Sequence, residues 1–502
     1  MKKYIYKALS LATFLLVGFS CDSYDFGETN KNLNDPSEVL PPSLLTASQA
    51  KLVGALSLSG TATPSLYVQH LSQTQYTEES RYQTINFNWN ITGSGTNQTA
   101  PNGDIRNQQG TVNVYTPILA LKTIIDANTN DAANMSAYGS NNNQIAVARI
   151  LKAYYFQWMT DRWGMLPYTE AIGGVNTPNP KYDTQEFIYK DLFKEIDEAL
   201  AQIDGGAGPS GDSFFGGDMA KWKKFANTLK MNMAIRLAKV YPNAGDYAAT
   251  MFNQAMAGAI TSSSENIMFA CIADDQYDNP YQDDYVDSGR TDECLSDVLV
   301  NRLQALNDPR LPKFGAPAAS SGNYVGLRYG WAGAGTVPNA DVSFMNDDLI
   351  KNGTKSLPIF TFAQVSFNKA EAAKLNWISG TVQSYYEAGV KASLEQWGVS
   401  AADATTYLGV AGVAYNAATD MNQIAEQKWI SLFYQPYEAW AEWRRLDFPV
   451  LTAAVDALNG TNQIPTRHAY PSTEPSQNKS SYDAAVAAQG ADDLFTKLWW
   501  DK

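Results

Sequence analysis

The chain has 502 residues, 51 acidic against 37 basic, a net charge of −14, two histidines and three cysteines. That charge repels polyphosphates and makes nucleic acid a poor partner, and so few soft ligands argue against a zinc, haem or iron–sulfur centre. The length suits one large domain or two to three ordinary ones, with ample core in either case.

The N-terminus reads as a secretory leader. Lys2, Lys3 and Lys7 precede the apolar run Ala8–Phe19, which is too short to span a bilayer as a stable helix, and Ser20 precedes Cys21. A cysteine directly after the small residue at the cleavage point marks a bacterial lipoprotein, with residues 1–20 removed and the Cys21 thiol acylated. Gly18 and Phe19 depart from the commonest lipobox, and ordinary cleavage leaving a free thiol is the alternative. Residues 21–35 form an acidic tether and 36–502 the folded body. No later segment approaches about eighteen consecutive apolar residues, so lipid is the only predicted membrane attachment. The remaining cysteines, Cys271 and Cys294, are either bridged or two buried thiols.

Helical periodicity dominates the body. Val114–Ile125 and, more strongly, Gln144–Trp163 carry apolar residues at helical spacing. Asp183 with Glu186 predicts a capping box opening a helix to about Ile203, which Gly205 and Gly206 end. Asp218 caps a helix through Trp222, Phe225, Leu229, Met233 and Leu237, which ends by Pro242. A shorter helix spans Asp246–Ala257. Thr361 with Gln364 opens another, and Thr381 starts its partner to Trp397. Asp420–Leu446 is the last long run, kinked or restarted at Pro436. Consecutive pairs with short connections are the local unit of an α-hairpin array, without a fixed-period repeat. Long irregular stretches at 86–113 and 271–329 interrupt the helices, and their aromatics argue for order.

Ordered strings carry a family resemblance. Asp161-Arg162-Trp163-Gly164-Met165-Leu166-Pro167-Tyr168-Thr169-Glu170 follows the first strong helix. Asp308-Pro309-Arg310-Leu311, the stretch Thr361–Ala372, Glu438–Arg445 and Ile464–Pro471 with Glu474 and Asn478 come after it. Together, behind a lipoprotein leader, they resemble the SusD/RagB family of surface nutrient-binding lipoproteins, in its type two branch. Gln364 stands where family members often have Glu. The resemblance implies a mostly α fold, a tetratricopeptide-like helical-pair scaffold with long irregular loops. It implies a non-enzymatic role at the outward face of the outer membrane, capturing oligosaccharides, or peptides or glycopeptides, for a SusC-like TonB-dependent transporter.

The shared strings read as scaffold, and the stripe Trp429, Phe433, Trp440, Trp443 as helix-on-helix core. Recognition of sugars needs flat apolar faces beside planar hydrogen-bonding groups, placed on loops. Three loop clusters meet that need: Tyr82 with Asn88 and Trp89; Asn279, Tyr281 and Asp283; and Arg328 with Trp331. The acidic run Asp274, Asp275, Asp278, Asp283, Asp284 and Asp287 offers oxygen ligands for Ca2+ but lacks EF-hand spacing, so a solvated acidic loop is the alternative reading. No catalytic motif marks a pair of carboxylates or a nucleophile, which leaves a secreted glycoside hydrolase as the weaker alternative.

Overall fold

Apolar residues at helical spacing build most of the body. The structure is a computed structural model that describes residues 40–52, 56, 63–83, 89, 113–273, 278–458, 460 and 462–502. The leader, Cys21 and the tether lie outside the described residues. Pro41–Lys502 forms one unit. Its principal helices are α1 (Pro41–Ala50), α2 (Tyr115–Asn130), α3 (Asn141–Trp163), α4 (Gln185–Gln202), α5 (Met219–Arg236), α6 (Tyr247–Met256), α7 (Asp297–Ala305), α8 (Phe362–Lys374), α9 (Val382–Gln396), α10 (Asp420–Ser431), α11 (Pro436–Leu446) and α12 (Lys479–Gln489). The consecutive helices α3 and α4, α5 and α6, and α8 and α9 pack against each other, and α2 packs on α3.

Strands are few and short: β1 (Leu71–Gln73), β2 (Leu166–Pro167), β3 (Tyr182–Asp183), β4 (Ile267–Phe269), β5 (Glu293–Leu295) and β6 (Leu357–Phe360). They pair antiparallel as β1–β5, β2–β3 and β4–β6. In the first of these, Leu71, Ser72 and Gln73 face Leu295, Cys294 and Glu293. No helix among the described residues is long and apolar enough to cross a membrane.

Local signals fix several helix starts. Asp218 accepts hydrogen bonds from the Ala220 and Lys221 amides at 2.9 and 3.2 Å, and Thr361 and Thr381 cap α8 and α9 through the amides three residues on. The expected capping box at Asp183 is corrected: Thr184 caps α4 by accepting from the Phe187 amide. Asp183 sits instead in β3, where its carboxylate holds the Thr169 amide and hydroxyl at 2.8 and 2.7 Å. The last long run breaks after Ser431, and Pro436 restarts it at the first position of α11, where its missing N–H costs nothing.

The ordered strings are interior scaffold. Trp163, Trp222, Trp440 and Trp500 are fully buried. Gly164 ends α3 at φ +80°, and a Cβ there would lie 1.9 Å from Gln489 Oε1, so only glycine fits both the backbone and the space. Arg310 grips Asp308 with two parallel bonds of 2.9 and 2.6 Å, fully buried. Glu442 of α11 receives Arg445 at 2.6 Å, Arg236 at 3.2 Å and Lys428. Burial alone would raise the Glu442 pKa, but Arg445, Lys428 and Arg236 hold it well below the usual carboxylate range. Arg445 also pairs with Glu371 of α8, so one ion network ties α5, α8, α10 and α11 together.

Cys271 and Cys294 are both buried and unbridged. The two histidines are core residues. His70 packs against Trp429 with ring centroids 4.6 Å apart, and burial pushes its pKa down to about 3. His468 lies among Arg162, Arg444 and Arg467, and burial followed by those charges holds it well below the usual imidazole range.

Candidate functional site

Four loop segments converge at the β1–β5 ribbon. Beyond Gln73, the Thr74 amide donates to the Asp292 carbonyl at 2.8 Å and the Thr74 hydroxyl to the Thr291 carbonyl at 2.6 Å. The Leu327 amide donates to the Leu295 carbonyl at 2.9 Å and Ser72 Oγ to the Arg328 carbonyl at 3.3 Å, which lays the segment after residue 326 beside the same ribbon. Asp456 then closes the ring: its carboxylate accepts from the Ala332 amide at 2.8 Å, and its carbonyl accepts from Arg81 Nε at 2.9 Å.

On that frame stand two aromatic–arginine pairs. Tyr76 is 65% exposed, the most open ring among the large apolar side chains described, apart from Val450 without a ring. Its φ is +51°, a costly conformation for a tyrosine of about 1–3 kcal/mol that the surrounding turn must hold in place. The Arg290 guanidinium lies 5.5 Å from its ring centroid and is itself held by Asp292 through Nε at 2.7 Å. Trp331 is half-buried against Leu327 and Ala334, with the exposed Arg328 guanidinium 5.9 Å from its ring centroid. Each pair offers a flat apolar face beside a fork of planar donors.

At the β1–β5 ribbon, two half-buried carboxyls complete the electrostatics. Glu79 accepts from Gln73 Nε2 at 3.2 Å. Burial pushes it up to about 7, against the pull of Gln73 and Arg290. Glu293 is pushed up to about 8 by burial first and then by Glu79, Asp284 and Asp292. Such displaced carboxyls beside an open aromatic surface are more usual at binding sites than in a plain scaffold.

The sequence-chosen residues divide sharply in placement. Arg328 and Trp331 lie on this surface. Tyr82 does not: it is fully buried, its hydroxyl accepting from the Ala454 amide at 3.0 Å. Asn279 is likewise buried, its amide donating to the Lys355 carbonyl at 2.7 Å and to the Tyr434 hydroxyl at 3.1 Å. Tyr281 stacks on Tyr434 at 5.1 Å, 2% exposed. These three offer no surface to a ligand and serve to pin their loops. Trp89 also turns inward, its Nε1 donating to Glu474 at 2.8 Å and its ring 5.1 Å from that of Trp163. Asn88 and the side chain of Asp283 lie outside the described residues, as do Asp274 and Asp275 of the Ca2+ reading. Among the described residues no group of three or more acidic, histidine or cysteine side chains is placed to hold a metal.

Tyr76 and Arg290 escaped the sequence reading. Tyr76 sits in Gln75-Tyr76-Thr77-Glu78, an aromatic among polar residues just after a three-residue strand, and that setting was the available signal.

Residues 33–471 match the SusD-like type two family model, described as starch-binding and associating with the outer membrane. The fold is similar to that of a chitin-binding protein at 27% identity and a TM-score of 0.75, covering 92% of this chain and 99% of that one. It is also similar to a SusD homolog from Bacteroides fragilis at 20% identity and a TM-score of 0.78, covering 92% and 100%. A chitin-binding SusD homolog from Flavobacterium johnsoniae matches at 22% identity and a TM-score of 0.74, covering 92% and 98%. The last two, at such identity, speak for the fold alone. No protein among curated sequences matches the chain. The match across most of its length, over the same mostly helical architecture, places the chain in the SusD-like family.

Proposed function

We propose that this protein is a lipid-anchored, outward-facing binding protein that captures oligosaccharides and passes them to a SusC-like TonB-dependent transporter. The observation that carries this reading is the pair of aromatic–arginine faces, Tyr76 with Arg290 and Trp331 with Arg328, raised on loops over a rigid helical frame. Sugar rings present an apolar C–H face and a belt of hydroxyls, and an aromatic flanked by a guanidinium meets both. The family description and the name of the chitin-binding neighbour at 27% identity support a glycan as cargo. Uptake requires affinity without transition-state discrimination, so a catalytic constellation is not needed. The anchor is the acylated Cys21.

The hydrolase reading has one foothold, the displaced carboxyls Glu79 and Glu293. A single set of incubations separates the two. Purified protein is mixed with maltohexaose or N-acetylchitohexaose, and both bound sugar and new reducing ends are measured. Binding with no new reducing ends supports capture, whereas release of reducing ends that is lost in Glu79→Gln or Glu293→Gln overturns it in favour of hydrolysis.

A further inference from the structure

A second groove lies apart from the four-loop surface, between the turn at Asp347–Ser356 and the C-terminal end of α9. It encloses about 340 Å³, within the range of roughly 300–1,000 Å³ usual for small-molecule sites. The half-buried Trp397 provides its aromatic face, the buried Tyr434 closes its floor, and Asp348, Asn352, Lys355 and Ser356 provide a polar wall. The wall is ordered in advance. Asp348 accepts from Lys355 Nζ at 2.5 Å and from Asn352 Nδ2 at 2.9 Å, and Asn352 Oδ1 accepts from the Thr354 hydroxyl at 2.8 Å. Asn279 braces it from behind through the Gly353 and Lys355 carbonyls, both at 2.7 Å, and Tyr434 donates to the Leu349 carbonyl at 2.8 Å.

Two neighbouring residues that line this groove, Gln396 and Trp397, each keep a polar atom, Oε1 and the indole N–H, that is closed to solvent and has no hydrogen-bond partner. Buried donors and acceptors are nearly always satisfied, and a hydroxylated guest that turns either side chain toward the groove supplies the missing partner.

We propose that this groove is a second binding site for a short neutral saccharide, one or two sugar rings long. This rests on the glycan-binding reading of the protein and adds a second subsite to it. One aromatic face for the sugar ring, with a fixed row of carboxylate, amide, ammonium and hydroxyl groups for the hydroxyls, is the same kind of chemistry as the first surface.

Stoichiometry tests this with trisaccharides, which are short enough to discourage one chain from occupying both sites. Maltotriose and N-acetylchitotriose are titrated by calorimetry into the native protein, Ser356→Trp, Lys355→Ala and the double variant Tyr76→Ala/Trp331→Ala. Ser356→Trp fills the groove while leaving Trp397 in place, and Lys355→Ala trims its wall should the tryptophan disturb folding. The expected result is two equivalents on the native protein and one on Ser356→Trp and on the double variant, with at least tenfold weaker binding of the second equivalent in Lys355→Ala. One equivalent that is lost in the double variant and unchanged in Ser356→Trp and Lys355→Ala overturns the second site and leaves the glycan-binding function standing. One equivalent lost in Ser356→Trp and kept in the double variant supports the groove and removes the first surface instead. Absence of binding to the native protein overturns both.

Discussion

Glu442→Gln removes one negative charge from the centre of the buried ion network while keeping the side chain's size. Glu442 is 3% exposed and faces Arg445, Arg236 and Lys428. Glu371, Glu438 and Asp161 remain to balance those cations, but none reaches all three. Breaking a buried pair by removing one partner typically costs about 3–5 kcal/mol, because the remaining charges stay buried without compensation. Unfolding entropy runs to about 2.1 cal/mol/K per residue, so for a unit of roughly 460 residues each kcal/mol corresponds to about 1 °C. The variant should therefore melt about 3–5 °C below the native protein at pH 7. Glu186→Gln, which breaks an exposed pair with Lys190 on the surface of α4, is the control and should change stability by no more than about 0.5 kcal/mol. The pH dependence carries a sign. The folded pKa of Glu442 lies below the unfolded value, so its contribution is present above about 4.5 and is lost as the pH falls through the folded pKa. The gap between native and Glu442→Gln should narrow as the pH drops below that point. Thermal melts by circular dichroism at pH 7 and pH 3 measure both. A loss of less than about 1 kcal/mol at pH 7, or a gap as wide at pH 3, would refute the view that this network holds α5, α8, α10 and α11 together.

Three further outcomes follow from local geometry. Gly164→Ala should destabilise by more than about 1 kcal/mol in chemical denaturation, since both the positive φ and the approach of Gln489 oppose a Cβ. Glu79 and Glu293 have folded pKa values raised to about 7 and about 8, so their stabilising contribution is present below about 4.5 and disappears as the pH rises through those values; melting temperatures from pH 5 to 8.5 should fall less steeply in Glu79→Gln/Glu293→Gln than in the native protein. Burial pushes the Cys271 thiol up to about 12 and raises Cys294 as well, so iodoacetamide at pH 8 should label neither in the folded protein and both after denaturation, as followed by intact mass.

Helices were legible in the sequence because burial of one face imposes a period that composition cannot hide. Asp218, Thr361 and Thr381 were legible as caps because a short oxygen-bearing side chain before an apolar run has one common use. Asp183 and Thr184 show where that reasoning stops. Either can cap α4, and the choice was made by Thr169, a partner 14 residues away that draws Asp183 into β3. The loop aromatics show a wider limit. Tyr82, Trp89 and Tyr281 resemble Tyr76 and Trp331 in local sequence, yet the first three are anchored inward by Ala454, Glu474 and Tyr434. Partners so distant along the chain leave no mark near the residue, so exposure of a loop ring is decided by tertiary packing alone. The strings around Trp163 and Trp440, by contrast, were legible as scaffold because tryptophan and arginine at helical spacing have few places to go except inward.

The measurement closest to the central claim is calorimetric titration of maltohexaose and N-acetylchitohexaose into the native protein and Tyr76→Ala/Trp331→Ala, with matching circular dichroism to confirm folding. Binding of at least one of these glycans, weakened tenfold or more in the double variant, is the expected result and corresponds to a loss of about 1.4 kcal/mol or more. Equal affinity in the two proteins would contradict the placement of cargo on the aromatic–arginine faces.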